Sequence, residues 1–547
     1  MKLAITLAAA LAVAGSARAD ALDDLFTRYH ADTPGCAIGI ARAGQAPILR
    51  GYGSADLEHG VAITPDTIFE AGSVSKQFAA AAVLTLVADG KIALGDDIRK
   101  YLPEMPAYSA PITVDMLLSH TSGLRDWGEV EAIAGWPRTS RIYTHDEVLQ
   151  IAARQKALNY APGAAYSYTN TGYNLATIIV QRVSGKSLAD FTAERLFKPL
   201  GMTHTGWRDD FRRIVPGRAQ AYDRTATGYA LDMPFENVHG NSALLTTVGD
   251  LLIWNRALDD RKLGVVADLM QQPAVLTSGR KIEYARGLFV GTYRGLPEIS
   301  HTGATAGYRA WIARYPSQGV SVAMLCNGSD ADGSNAHKAI DPYLTGAQVA
   351  AASASRLSFP AGPTPTGAEA AAPTQSPQAG RAGIYIRDGE LTVLRMAMEG
   401  ERLRFQGGQA LEPAGPGRYR ATVPGLGARE IAFRPNGDME MKAADGEVTL
   451  FHHETPATPT PADLAPLVGT YVSEEAGATL IASIKGAFLV LTPSDRPSAQ
   501  VILNGAFKDG FFRAGGLIRF QRDKAGKVIG LSYQGGRVWD LKFRKIS

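Results

Sequence analysis

"EAGSVSKQF", residues 70–78, is the stretch on which the reading of this chain turns. It sets Ser73 and Lys76 three residues apart at the head of a run, 77–88, that holds no charged residue, and Gly90 follows as a helix stop. The pattern predicts about four turns of helix, apolar on every side and therefore buried. Ser73 then lies at the first turn, where unpaired N–H groups and the positive dipole end point outward. Lys76 follows on the same face. Burial drives a lysine toward its neutral form, and a base beside a serine hydroxyl turns a weak nucleophile into a competent one. Alone, the same residues fit a serine cap followed by a lysine that reaches out past small side chains.

Two further stretches bear on that choice. In "YAPGAAYSYTNTGYNLATIIVQRVSG", 160–185, Pro162-Gly163 makes a turn and 171–183 reads as an amphipathic helix closed at Gly185. Tyr168 and Asn170 stand just before it, able to point into a cleft, or else to serve as a packed aromatic and a helix cap. In "EISHTGATAGYRAWIARYP", 298–316, His301-Thr302-Gly303 ends a strand, and its glycines allow another backbone to come close. A plain hairpin turn is the other reading there.

In this order the three resemble the S-x-x-K, Y-x-N and [KH]-T-G motifs of the serine penicillin-binding proteins and class C β-lactamases. The resemblance takes in "LLSHTSGLRDW" at 117–127 and "LLTTVGDLLIW" at 244–254 and spans residues 30–330. "SVSKQF", "SGLRDW", "YSYTN" and a pair of C-terminal β-modules look most like the D-aminopeptidase and esterase branch. The resemblance implies an α/β β-lactamase/transpeptidase-like domain, a mainly antiparallel sheet flanked by helices with a helical subdomain. It implies that Ser73 is acylated, that Lys76 helps deprotonate it, and that Tyr168 is general base and acid with a phenol kept acidic by Lys76. Asn170 would bind the substrate amide, and His301, Thr302 and Gly303 would form a polar wall. The N–H groups of Ser73 and Ala304 would form an oxyanion hole, and such donors contribute about 3 kcal/mol each. Neither a metal nor a cofactor is called for.

His301 narrows the substrate. A lysine at that place is a fixed cation for a carboxylate, whereas a histidine is mostly neutral at neutral pH. Arg309 is a substitute candidate. Esters and free-amine amides fit best, which makes an exported serine hydrolase acting through an acyl-enzyme the leading expectation. The alternatives are a β-lactamase or D-alanyl-D-alanine carboxypeptidase, and a non-catalytic ligand-binding relative.

The rest of the chain frames this centre. Its 547 residues, 45% hydrophobic and 20% charged, exceed a single core. A formal charge of +3 lacks the basic excess of a nucleic-acid binder, so a small-molecule or short-peptide substrate is expected and no nucleic acid. Lys2, the apolar run 3–14 and Ala17-Arg18-Ala19 read as an export signal over 1–19, leading to a periplasmic or secreted protein without a membrane span. Cys36 and Cys326 lie in strand-like segments and are either bridged, if those strands are neighbours, or two buried thiols. The hydrolase domain is expected over 20–355, with strands at both ends that share a sheet. A Pro/Ala/Gly-rich linker follows at 356–381. Two repeated antiparallel barrel modules, 382–457 and 462–547, open on "GIYI" at Gly383 and "GTYV" at Gly469. The resemblance also implies that a loop of the last barrel, "LTPSDRPSAQ" at 491–500, approaches the active site. His452, His453 and Glu454 are not read as metal ligands, because adjacent residues on a strand face opposite ways. His120 reads as a structural loop residue, and the oligomeric state is left open.

Overall fold

A computed structural model describes residues 21–346, 379–444 and 446–547. The expected export signal and nearly all of the expected linker lie outside the described residues.

Six antiparallel strands form the main sheet: β1 (Cys36–Arg42), β2 (Ile48–Tyr52), β3 (Phe289–Tyr293), β4 (Leu296–Thr305), β5 (Tyr308–Tyr315) and β6 (Val320–Cys326), in the order β3-β4-β5-β6-β1-β2. The first and last strands of the domain are therefore neighbours, as expected. Their register sets Cys36 opposite Cys326, and the two are bridged. β6 is buried along its whole length, which its unbroken VSVAMLC sequence requires. β3 begins only at Phe289. Arg286 is drawn aside to Asp115 at 2.6 Å, and Gly287 takes a φ of +80° that ends extended pairing.

Three helices matter to the site. α1 (Lys76–Ala88) is buried from Lys76 to Leu86, and Phe78 packs on Trp254 and Phe197. α2 (Asn170–Ser184) starts at a Thr169 cap and ends at Gly185 in the left-handed region. α3 (Val248–Asp259) lies behind the sheet, its Asn255 donating to the Ala313 carbonyl. Among the described residues no helix is long and apolar enough to cross a membrane.

The C-terminal repeat yields two different objects. Strands from Gly469–Ser473 to Leu541–Lys545 close into an eight-stranded barrel with a filled interior. The first module is also eight-stranded, but its edge strands Arg402–Phe405 and Glu412–Gly415 meet only through an isolated Arg404–Ala410 bridge. It is a half-barrel sheet, which fits the expected all-β module without closing as the second does. His452 bonds Asp438 at 3.1 Å while His453 reaches the Ala382 carbonyl, so the adjacent histidines do face different partners.

Candidate active site

Ser73 sits in a tight 3-10 turn, Gly72–Ser75, that runs straight into α1. A side chain on Gly72 would come within 2.5 Å of Ala304 N, and one on Gly303 within 2.0 Å of Ala71 O. Only glycines allow β4 and this turn to touch backbone to backbone, and the contact brings the Ser73 and Ala304 nitrogens together. Behind the turn Glu70 is paired with Arg208 at 2.7 Å, both fully buried. Glu236 is paired with Arg138. These charges are spent on one another.

Lys76 Nζ lies 3.1 Å from Ser73 Oγ, and it donates to Asn170 Oδ1 at 2.9 Å and to the Asn241 carbonyl at 2.8 Å. Burial holds its pKa well below the usual lysine range, with the Arg537 and Arg138 guanidiniums adding to the shift. The Asn170 N–H in turn donates to Asp126 at 2.7 Å. Asn174 fixes the other partner, donating to Asn241 Oδ1 at 2.7 Å.

The Tyr168 hydroxyl is buried beside that of Ser73, and Lys76 Nζ stands 4.8 Å above its ring centroid. The phenol is not kept acidic, as the resemblance implies. Burial raises its pKa, and the nearby Ser73 hydroxyl and Arg537 only moderate the rise. The same burial that lowers the Lys76 pKa thus raises that of Tyr168.

His301 is held among Tyr168, Tyr284 and Phe289. Its Nδ1 faces the Thr302 carbonyl at 2.6 Å, so Nδ1 carries the proton, and Nε2 accepts from the Tyr284 hydroxyl at 3.1 Å. Burial and Lys76 push its pKa down to about 3. It is a neutral, doubly bonded residue rather than an open polar wall. Thr302 and Ala304 are part-exposed beside it on β4. Arg309 donates to the Ala306 and Tyr308 carbonyls, at 2.6 and 2.8 Å. His120 accepts from the Thr169 N–H at 3.2 Å inside an aromatic cluster, which agrees with a structural role.

The closed barrel also reaches this centre, by a loop other than the one expected. Residues 491–500 lie against Trp136, where Asp495 accepts from its indole at 3.0 Å and Arg496 donates to the Gly135 carbonyl at 2.6 Å. The segment 535–540, "GGRVWD", instead brings the Arg537 guanidinium 4.9 Å above the Tyr168 ring centroid. Sequence reasoning missed Asn241, Tyr284 and Arg537, since none stands in a motif and each arrives by tertiary contact.

Comparison with known proteins gives the family of the chain. The Beta-lactamase family signature matches residues 22–345. The chain belongs to the β-lactamase family. This β-lactamase-family chain, a serine hydrolase, is 27% identical over 471 residues to a D-aminopeptidase of Cereibacter sphaeroides, covering 84% of this chain and 83% of that one. In fold it is similar to the octameric penicillin-binding protein homologue from Pyrococcus abyssi, with a TM-score of 0.52 and 22% identity over 77% of this chain and 96% of that one. It is likewise similar in fold to D-amino acid amidase from Ochrobactrum anthropi SV3 complexed with D-phenylalanine, with a TM-score of 0.51 and 22% identity over 60% and 97%.

Proposed function

We propose that this hydrolase cleaves small amides, D-aminoacyl amides foremost and small esters beside them, through an acyl-enzyme on Ser73. The observation that carries the reading is Lys76 Nζ, within 3.1 Å of Ser73 Oγ and held by two carbonyl oxygens. A neutral amine has two N–H bonds and one lone pair. Asn170 and Asn241 take the two bonds, and the lone pair is left for the Ser73 hydroxyl.

Lys76 draws the serine proton as Oγ attacks the substrate carbonyl carbon. The N–H groups of Ser73 and Ala304 meet the oxygen that becomes negative. Tyr168, a neutral phenol, gives its proton to the departing nitrogen and recovers one from the Lys76 side. Water then enters and the same groups release the acid. Of the roles first expected, this gives the base role to Lys76 alone and keeps Tyr168 as the acid. Asn170 positions Lys76, and His301 orients the aromatic wall through Tyr284. The relatives named D-aminopeptidase support this choice of substrate class. The expected signal at 1–19 would deliver the chain to the periplasm, and the Cys36–Cys326 bridge suits an oxidising compartment. We retain 20–355, 382–457 and 462–547 as the domain limits.

Hydrolysis of D- and L-alanine p-nitroanilide and of p-nitrophenyl acetate tests the reading. The D-anilide is turned over faster than the L-form, and Ser73→Ala lowers kcat/KM by at least about a thousandfold. Undiminished turnover in Ser73→Ala overturns it.

A further inference from the structure

We propose that Arg537, delivered by the closed barrel, determines specificity by selecting substrates whose departing half carries a carboxylate. The inference rests on the hydrolase reading above. Its basis is the arrangement of charge at the mouth of the site. Lys76 is buried, and His301 has both ring nitrogens engaged. Arg138 is closed onto Glu236 and Arg208 onto Glu70. Arg309 is turned to backbone carbonyls.

The Arg537 side chain is 44% exposed, and its charged partner, Asp126 Oδ2, stands 3.8 Å away. That carboxylate is already in use. Its Oδ1 takes the Gly128 and Glu129 N–H groups, at 3.1 and 3.2 Å, and its Oδ2 takes the Asn170 N–H. Glu390 of the first module and Glu129 also lie in the field of Arg537; Glu390 stands 3.9 Å from Arg387, and Glu129 is engaged by the Tyr533 hydroxyl and the Arg537 N–H. A planar guanidinium with open donors is suited to a carboxylate. Its place over the Tyr168 ring puts it beside the residue that protonates the leaving group. The anion it meets is therefore on the departing half, as in a dipeptide with a free C-terminus. The backbone of Arg537 does the docking: its N–H donates to Glu129 at 2.9 Å, and its carbonyl accepts from Asn159 at 3.0 Å and from the Asp126 N–H at 3.2 Å. A change of side chain leaves those bonds in place.

Two aryl esters that differ only in that charge make the test, 3-acetoxybenzoate and 3-acetoxybenzamide, with the full chain and its Arg537→Ala and Arg537→Lys variants. The wild type prefers the benzoate in kcat/KM by about tenfold, the size of one partly screened charge-assisted hydrogen bond. Arg537→Ala brings the ratio to about one, and Arg537→Lys restores much of it. A ratio unmoved by Arg537→Ala, or both esters falling together, overturns the proposal. Calorimetric binding of 3-hydroxybenzoate against 3-hydroxybenzamide reads the same selectivity without turnover. If neither ester is hydrolysed while the benzoate still binds more tightly through Arg537, the hydrolase reading fails and the anion site stands. Equal binding of the two phenols by wild type and Arg537→Ala overturns the anion site.

Discussion

Tyr385, Met396, Phe405 and Met439 of the first β-module pack in a cluster of their own, whereas Tyr471, Phe520 and Phe543 of the second share one cluster with Trp127, Tyr143 and Ile151 of the hydrolase domain. The polar contacts divide in the same way. The first module offers Glu447 to Arg280 across a part-exposed 2.8 Å pair. The second offers Glu475, which pairs with buried Arg125 at 3.0 Å and also accepts the Lys156 and Ala157 N–H groups, at 2.7 and 2.9 Å. Two modules with one strand-and-turn scheme thus differ in what they do. The second is part of the site's wall, and the first touches the second through Ile384 and Ile386 against Phe507 and Leu517.

That contrast can be broken at its strongest point. Glu475→Ala strips a buried arginine of its partner and is expected to cost about 3 kcal/mol, read as a lower urea midpoint, together with a drop in kcat/KM as the Arg537 loop loosens. A next, smaller effect comes from Glu129, which accepts from Tyr533 and from the Arg537 N–H, both at 2.9 Å. Burial first, and then the Asp126 charge, push its pKa up to about 7. A carboxyl whose folded pKa is raised favours the folded, docked state at low pH and loses that advantage as pH rises through its folded value. Docking should therefore weaken between about pH 5 and pH 8, by roughly 2 kcal/mol, and Glu129→Gln should flatten the dependence. Thermal unfolding across that range checks it. The smallest effect belongs to the first module. Arg280→Ala should cost under about 1 kcal/mol and leave kcat/KM alone. A large loss there would erase the distinction between the modules.

The chemistry-bearing segments were legible because they are local. An apolar run behind Lys76 dictates a buried helix. A Pro-Gly turn ahead of Tyr168 and Asn170 brings them to the start of α2, and unbroken VSVAMLC dictates a central strand. What stayed hidden depends on distant partners. Asn241 contributes a backbone carbonyl, which no side-chain pattern records. Arg537 is an ordinary barrel-loop residue until Asp126, Glu129 and Asn159 bind its backbone. The direction of the Tyr168 shift stayed hidden for the same reason: a motif gives the neighbours' identities, while burial of the phenol raises its pKa.

In the proposed mechanism a neutral Lys76 activates Ser73, and Tyr168 is needed later, for the leaving group. Peptide-mapped mass spectrometry after brief treatment with a fluorophosphonate probe tests it most directly, because phosphonylation needs the activated serine and a leaving fluoride needs no proton donor. Wild type and Tyr168→Phe should carry the added mass on Ser73 at similar rates, while Lys76→Met should label at least about a hundredfold more slowly. Equal labelling of Lys76→Met, or an adduct on a residue other than Ser73, would rule out Lys76 as the base that activates Ser73.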